Sequence, residues 1–110
     1  MKTSELTGAA LDWVVAKCEG ITTPYIGHFR MPILEAVKSH QYSPSTLWEQ
    51  GGPIIERERF VIAPASSTLW AATSLIGNCT RLGTIPLIAA MRCYVTSKLG
   101  DEVEIPEELT

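Results

Sequence analysis

The stretch from Tyr42 to Phe60, YSPSTLWEQGGPIIERERF, has helix-like spacing but carries Gly51-Gly52-Pro53 at its centre. Glycine costs about 1 kcal/mol and proline about 3 kcal/mol in a helix interior relative to alanine. A helix running through all three residues would lose roughly 5 kcal/mol, which is comparable to the whole stability of a small domain. This tripeptide therefore restricts the folds open to the chain more than any other feature.

The cheaper solution is a break between two helical pieces. We predict a short helix over residues 44–50, with Ser43 as its N-cap and Pro44 at its first position. A bend follows at the glycine pair, and a second helix restarts at Pro53 with Gly52 as its N-cap. Two explanations of the break are open: another backbone packs against the glycines, or a ligand approaches them closely.

Two other stretches predict helices by their apolar spacing and their ends. The first covers residues 4–19 and ends at Gly20. The second follows Thr84 as its cap, has Pro86 in its first turn and ends at Gly100. Its apolar stripe consists of Ile88, Met91, Val95 and Leu99.

The remaining segments favour strands or loops. Between residues 21 and 41, YIGHF and ILEAV are each read as a short strand or extended loop. RFVIAP and TLWAATSL predict two antiparallel strands joined by a turn at residues 65–67, with Trp70 facing the helices. Gly77-Asn78 predicts a further turn before a short third strand over residues 79–82.

Together these elements predict an α+β fold, with about three helices packed on a two- or three-stranded antiparallel sheet. A chain of 110 residues is about one small domain. We expect one globular domain over residues 1–100 and an acidic, solubilising tail over residues 101–110.

Charge and composition limit the classes of partner. The net charge is −3, with five acids in the last ten residues. The rest of the chain is only mildly basic, so direct DNA binding is not expected. No apolar run is long enough for a membrane span. Cys18, Cys79 and Cys93 are expected to be reduced thiols, because their number is odd and they have no C-x-x-C spacing.

No catalytic or metal-binding motif is present. The chain has no phosphate-binding G-x-x-x-x-G-K-[ST], no G-x-S-x-G and no H-E-x-x-H. His28 and His40 have no ligand-like spacing. We therefore expect a protein that is not an enzyme and that needs no metal or cofactor.

A helix that restarts at Pro53 would leave backbone N–H groups free to bind an anion or a nucleotide-like ring. Arg57 lies one turn after Pro53, and Trp48 lies just before the break, so both could contact such a ligand. The simpler interpretation of the charged residues Glu56 to Arg59 is a helix end exposed to solvent. The candidate ligand- or partner-binding residues are Tyr42, Ser45, Trp48, Gly51, Gly52, Arg57, Arg59 and Arg92.

Three blocks of the sequence, LTGAALDWVVAKCEG, YSPSTLWEQGGPIIERE and TIPLIAAMRCYVTSKLGDEVE, resemble the phage NinX family of small proteins from lambdoid phages and prophages. The resemblance implies a phage or prophage origin and a place in the host bacterial cytoplasm, but no activity. In the family pattern an acid follows Pro-Ser-Thr, whereas this chain has Leu47 there. The arrangement also resembles small phage α/β sandwich domains, which supports the fold more than a function.

Three functions are compatible with these features. The first is a non-catalytic accessory protein that binds a host or phage component. The second is an oligomer that sequesters a small nucleotide-like anion of bacterial defence. The third is an accessory role in phage DNA metabolism or recombination.

Overall fold

A computed structural model describes residues 1–75 and 79–110 and shows an α+β protein, as predicted. Its elements, in chain order, are helix α1 (Gly8–Glu19), strands β1 (Tyr25–Ile26) and β2 (Phe29–Arg30), helices α2 (Ile33–Lys38) and α3 (Trp48–Glu58), strands β3 (Val61–Pro64), β4 (Trp70–Ser74) and β5 (Cys79–Gly83), and helix α4 (Pro86–Leu99). Short 3-10 turns cover Thr3–Glu5 and Glu107–Leu109.

The main sheet is antiparallel, with strand order β3-β4-β5. This confirms the two strands and the third strand predicted from sequence, while the turn predicted at Gly77-Asn78 lies outside the described residues. The Ser66 hydroxyl accepts hydrogen bonds from the backbone N–H groups of Thr68 and Leu69, which closes the β3–β4 turn. Trp70 packs against the main core, also as predicted.

Helix α4 lies at the centre of the fold, between the inner face of the sheet on one side and helices α1 and α3 on the other. Buried residues therefore surround most of the helix instead of forming one stripe, and Leu99 of the predicted stripe is largely exposed. The predicted cap at Thr84 is wrong, because Ile85 takes the N-cap position and no side chain caps the helix.

Helix α1 begins at Gly8, four residues later than predicted, and ends as predicted at Gly20, which has a left-handed φ of 72°. The preceding segment is held in a different conformation by contacts with the residues after α4. Thr3 donates its backbone N–H to the carbonyl of Asp101 at 2.8 Å and its hydroxyl to that of Gly100 at 3.0 Å. These long-range bonds outweigh the helical preference of the local sequence.

The segment between α1 and α3 contains one strand pair and one helix. YIGHF forms the β1–β2 hairpin, in which Gly27 turns the chain with a φ of 63°. ILEAV is helix α2, so the strand or loop expected there is wrong. Ala36 and Val37 are buried against Ala16 of α1 in a second, smaller core, and this packing requires helical spacing.

The predicted break at the glycine pair is also wrong, because α3 runs through Gly51, Gly52 and Pro53 without interruption. Residues 44–46 form a turn instead of a helix, and the chain bends at Leu47, which has an extended conformation with φ −103° and ψ 113°. The interruption therefore exists, but it lies five residues before Gly52. Burial of Ile54 of α3 in the main core helps to offset the poor helix formers.

The last ten residues are in contact with the rest of the protein. The backbone N–H of Val103 donates to the carbonyl of Met1 at 3.0 Å, and Lys2 pairs with Glu102 in a single β-bridge. Val103, Ile105 and Leu109 pack against the main core. Among the described residues, no helix is long and apolar enough to cross a membrane.

Candidate functional site

The turn that precedes α3 is attached to α1 by Asp12. The Asp12 carboxylate is fully buried and accepts hydrogen bonds from the backbone N–H of Ser45 at 2.9 Å and from the Ser43 hydroxyl at 3.1 Å. Burial raises the pKa of this carboxyl, while the bonds from Ser45 and Ser43 oppose the rise. The sequence analysis did not identify Asp12, although a single acid among apolar residues of a helix is a signal of a buried polar contact.

A second set of bonds links the same turn to the start of α3. The backbone N–H of Ser43 donates to Oε1 of Gln50, and Nε2 of Gln50 donates to the carbonyl of Gln41 at 2.9 Å. Tyr42 is buried in the second core, where burial raises its pKa. The candidates Tyr42 and Ser45 are therefore interior residues that join elements of the fold.

The two glycines have different environments. A Cβ atom on Gly51 would lie 2.2 Å from the carbonyl oxygen of Pro44 and 2.7 Å from Cδ2 of Leu87, so only glycine fits there. A Cβ on Gly52 would meet only Cε3 of Trp48, at 3.8 Å. Close packing accounts for Gly51, and nothing in the structure explains Gly52.

Arg57 lies at the centre of an ionic cluster that joins α1, α3 and α4. Its Nη1 and Nη2 bind the two carboxylate oxygens of Glu19 at 3.0 and 2.7 Å, and its Nε binds Glu58 at 3.0 Å. The Tyr94 hydroxyl donates to Glu19 and lies 3.3 Å from Nη2 of Arg57. The Arg57 guanidinium lowers the pKa of Glu19, which in turn raises that of Arg57.

The geometry required for an anion site at Pro53 is therefore absent. The first turn of α3 lies at Trp48, and Arg57 follows Trp48 by nine positions, which is about 13 Å along the helix axis. The guanidinium of Arg57 is already bound by two carboxylates. Arg59, at the C-terminal end of α3, is exposed and has no ion pair in the part of the chain that the structure describes.

Arg92 of α4 connects the N-terminal segment to the edge of the sheet. Its Nε donates to the carbonyl of Leu6 at 2.7 Å and its Nη1 to that of Leu82 at 2.8 Å. Burial lowers the pKa of Arg92. Beside it is a cleft of about 410 Å³, lined by Ser4, Thr80, Arg81, Leu82 and Arg92. Arg92 is thus the one candidate that the structure places in a polar cleft.

The β1–β2 hairpin exposes two aromatic side chains that the sequence analysis did not single out. Tyr25 is 65% exposed and Phe29 is 76% exposed. The guanidinium of Arg30 lies 4.3 Å from the centre of the Tyr25 ring. At the base of the hairpin, the backbone N–H of Met31 donates to the carbonyl of Pro24 at 3.1 Å. The hairpin is therefore closed at its base and exposes one aromatic side chain on each face.

The described residues contain no group of three or more His, Cys, Asp or Glu side chains that could hold a metal ion. The three cysteines are free, and burial raises the pKa of the Cys18 thiol to about 11, because desolvation disfavours the thiolate. Neither observation identifies a nucleophile or a metal centre.

Comparison with known proteins gives one result. The family model described as Bacteriophage P22, NinX matches residues 2–98, while no curated protein matches the chain. The match extends well beyond the three blocks that carry the resemblance and covers all four helices except the last residue of α4. The chain therefore belongs to the bacteriophage P22 NinX family.

Proposed function

We propose that this phage accessory protein is a non-catalytic binding protein that contacts a host or phage component in the bacterial cytoplasm. Membership of the NinX family supports a phage-encoded accessory role. The observation that carries the proposal is the exposure of Tyr25 and Phe29 on the β1–β2 hairpin. The register places Tyr25 with Arg30 on one face of the hairpin and Phe29 with Ile26 on the other, and aromatic residues are enriched at protein interfaces.

The composition and support of the hairpin suit a protein interface. Tyr, Phe and Arg are enriched at such interfaces, and the hairpin carries one of each in Tyr25, Phe29 and Arg30. Ile26, on the same hairpin, packs against the second core. Aromatic side chains on an anchored hairpin lose little conformational entropy when a partner binds, so more of the buried area contributes to affinity.

The alternative functions have less support. Sequestration of a nucleotide-like anion at the glycine pair requires a free Arg57, yet Glu19 and Glu58 bind its guanidinium. A direct role on DNA requires a basic surface, whereas the net charge is −3. An indirect role in DNA metabolism, through a protein partner, is one form of the proposed function.

Site-specific photo-crosslinking in phage-infected cells tests the proposal. A photoreactive residue replaces Phe29 in one variant and Thr68, an exposed residue of the β3–β4 turn, in a control variant. We expect one discrete adduct from position 29 at native expression level and none from position 68. The Tyr25→Ser variant, with the photoreactive group still at position 29, should lose most of that adduct.

The absence of any adduct from position 29 in cells that express the folded protein, together with a thermal shift produced by a nucleotide, would contradict the proposal. It would favour the ligand-sequestering alternative, because a ligand at 100 times its dissociation constant stabilises its target by about 2.7 kcal/mol. Equal adduct formation from positions 29 and 68 would also contradict it, since the labelling would then be independent of the hairpin.

A further inference from the structure

The cleft beside Arg92 has an uneven charge. Of its five lining residues, Arg81 and Arg92 are cationic and none is acidic. Ser4 comes from the N-terminal turn, while Thr80, Arg81 and Leu82 belong to β5. The cleft therefore lies between the N-terminal turn and a strand at the end of the sheet, and its lining is complementary to a negatively charged ligand.

The edge of β5 sets the spacing of the two cations. Within the described sheet, β5 pairs only with β4, so its other edge faces the cleft. The carbonyl of Thr80 accepts a hydrogen bond from Nη1 of Arg81, and that of Leu82 accepts one from Nη1 of Arg92, both at 2.8 Å. Carbonyls two residues apart on one strand are about 6.6 Å apart. Because each guanidinium group is bonded to one of these carbonyls, the distance between the two groups is also about 6.6 Å.

Both guanidinium groups keep donors that the described contacts do not use. A guanidinium has five N–H donors. No hydrogen bond is found for Nη2 of Arg92, and Nε of Arg81 is a buried donor without a partner in the described part of the chain. The unused donors of Nη2 of Arg92 leave the cleft able to bind an additional acceptor.

A carboxylate already lies at one end of this region. Oδ1 of Asp101 is 3.2 Å from Nη2 of Arg81, and the Asp101 side chain is 87% exposed. An exposed ion pair of this kind contributes little to stability, so an incoming carboxylate can replace it at small cost. The pair shows that the Arg81 guanidinium is accessible to an acidic side chain.

We propose that this cleft binds an extended segment of a partner protein that carries carboxylate side chains at positions i and i+2. Side chains two residues apart in an extended chain lie on one face and repeat at about 6.6 Å, which matches the two guanidinium groups. The proposal rests on the proposed binding function, but it concerns a surface other than the β1–β2 hairpin.

The pleat of the sheet also defines the residue between the two acids. Arg81 pairs with Ala72 of the core, so it lies on the inner face, whereas Leu82 lies on the outer face and is 46% exposed. Successive side chains of an extended segment point to opposite faces. If the two acids of a segment along the β5 edge face the arginines on the inner side, the residue between them therefore lies on the outer side, beside Leu82. An apolar residue suits that position, so the motif is acidic-apolar-acidic.

The chain contains such a motif at residues 102–104, but that copy is not free to bind. Val103 packs against the main core of its own chain and its backbone is bonded to Met1. A second copy of this chain would have to release those contacts before it could dock. A different protein is therefore the occupant that the structure favours.

Fluorescence anisotropy with labelled peptides tests the proposal on the full chain. The peptide SGEVEGS has the required spacing, and SGVEEGS has the same composition with adjacent acids. At low salt we expect saturable binding of the first peptide and at least tenfold weaker binding of the second. Arg81→Gln should weaken binding of the first peptide at least tenfold, and Arg81→Lys should weaken it less.

The control variant is Arg59→Gln, which removes the same charge from an exposed arginine without an ion pair among the described residues. Its affinity should stay within twofold of wild type. Far-UV circular dichroism and the thermal midpoint establish that each variant is folded. If Arg81→Gln does not fold, Arg81→Lys is compared with wild type in its place.

Several outcomes would overturn the proposal. They are absence of saturable binding at millimolar peptide, equal affinity for the two peptides, and equal weakening by Arg59→Gln. Displacement of the peptide by inorganic phosphate at the same concentration would assign the cleft to free anions instead. Dimerisation that Arg81→Gln abolishes would identify a second copy as the occupant. Each leaves crosslinking from position 29 unaffected, so failure here is distinguishable from failure of the proposed function.

Discussion

The carboxylate of Asp12, on the first helix, accepts a hydrogen bond from the backbone N–H of Ser45, which lies 33 positions later in the chain. Both residues are fully buried. This bond attaches the turn before α3 to α1. A buried carboxylate therefore helps to position the Pro-Ser-Thr segment, together with the bonds of Gln50 to the same turn.

Replacement of Asp12 by alanine should destabilise the protein by about 3 kcal/mol. The substitution leaves the N–H of Ser45 buried without its acceptor, at about 1–3 kcal/mol, and removes one partner of the Ser43 hydroxyl, which also bonds the Thr46 hydroxyl. Urea denaturation measures the change. Asp12→Asn is the matched control, because its amide oxygen keeps one acceptor, and it should lose less than half as much. Equal losses for the two variants would show that hydrogen bonding is not what the site requires.

The raised pKa of Asp12 predicts a specific pH dependence. Because the folded protein holds the proton more tightly than the unfolded chain, the contribution of Asp12 to stability is largest below its ordinary pKa of 3.8 and falls as pH rises through the raised value. The free energy of unfolding of wild type relative to Asp12→Asn should decrease across that range. A difference that is constant with pH would indicate that the pKa of Asp12 is the same in both states.

Glu19 predicts the opposite dependence. Its bond with Arg57 lowers its pKa, so its contribution is present above the ordinary value of 4.5 and is lost as pH falls through the lowered value. Arg57→Gln should reduce stability at pH 7 by up to about 1 kcal/mol, since the pair is partly exposed. In urea titrations, Arg57→Gln should also remove the part of the fall in stability at low pH that comes from protonation of Glu19. Arg59→Gln, in the same helix end, should do neither.

The glycine pair offers a matched comparison within one helix. Gly51→Ala should destabilise the protein by about 1–3 kcal/mol, because the added methyl overlaps the Pro44 carbonyl and Leu87. Gly52→Ala should stabilise it by up to about 1 kcal/mol, because its Cβ has room and alanine favours the helix. Thermal and urea unfolding of the two variants measure the difference. Destabilisation by both would mean that Gly52 has a packing role that the present contacts do not reveal.

Leu47 occupies the N-cap of α3 in an extended conformation and makes no capping hydrogen bond. An aspartate at this position can accept a hydrogen bond from a free N–H group of the first helical turn. Leu47→Asp should therefore raise the free energy of unfolding by about 0.5–1 kcal/mol. Leu47→Ala cannot cap the helix, so it should not raise the free energy of unfolding. If Leu47→Ala raises it as well, the effect comes from loss of the leucine side chain.

Local signals predicted those parts of the fold in which neighbouring residues determine the structure. Gly20 ends α1 because glycine adopts positive φ readily, and the β-rich runs on either side of residues 65–67 pair with each other because a short turn joins them. The ends of the two long helices were less accurate. The spacing predicts Leu6 as part of α1, but its carbonyl accepts a hydrogen bond from Arg92, which lies 86 positions away.

The failures share a physical cause. Helix penalties at Gly51, Gly52 and Pro53 predicted a break there, yet packing of Gly51 against Pro44 and of Ile54 in the core stabilises a continuous helix. The candidate site was predicted from that break, so its residues do not converge: Tyr42, Ser45 and Gly51 are interior and Arg57 is paired. Asp12 and Arg81 make contacts between distant segments, which spacing along the chain does not encode, and no local signal distinguishes the exposed Tyr25 and Phe29 from buried aromatics.

The central position of α4 has a consequence for synthesis of the protein. The inner face of the sheet and much of the buried surface of α1 and α3 are covered by this helix, which is the last α-helix along the described chain. Until residue 99 has been added on the ribosome, the main core lacks its central helix, whereas all the buried residues of the second core have already been made. The nascent chain therefore keeps the apolar residues of the main core without their central partner throughout translation of the sheet, and closure of the main core is a late step.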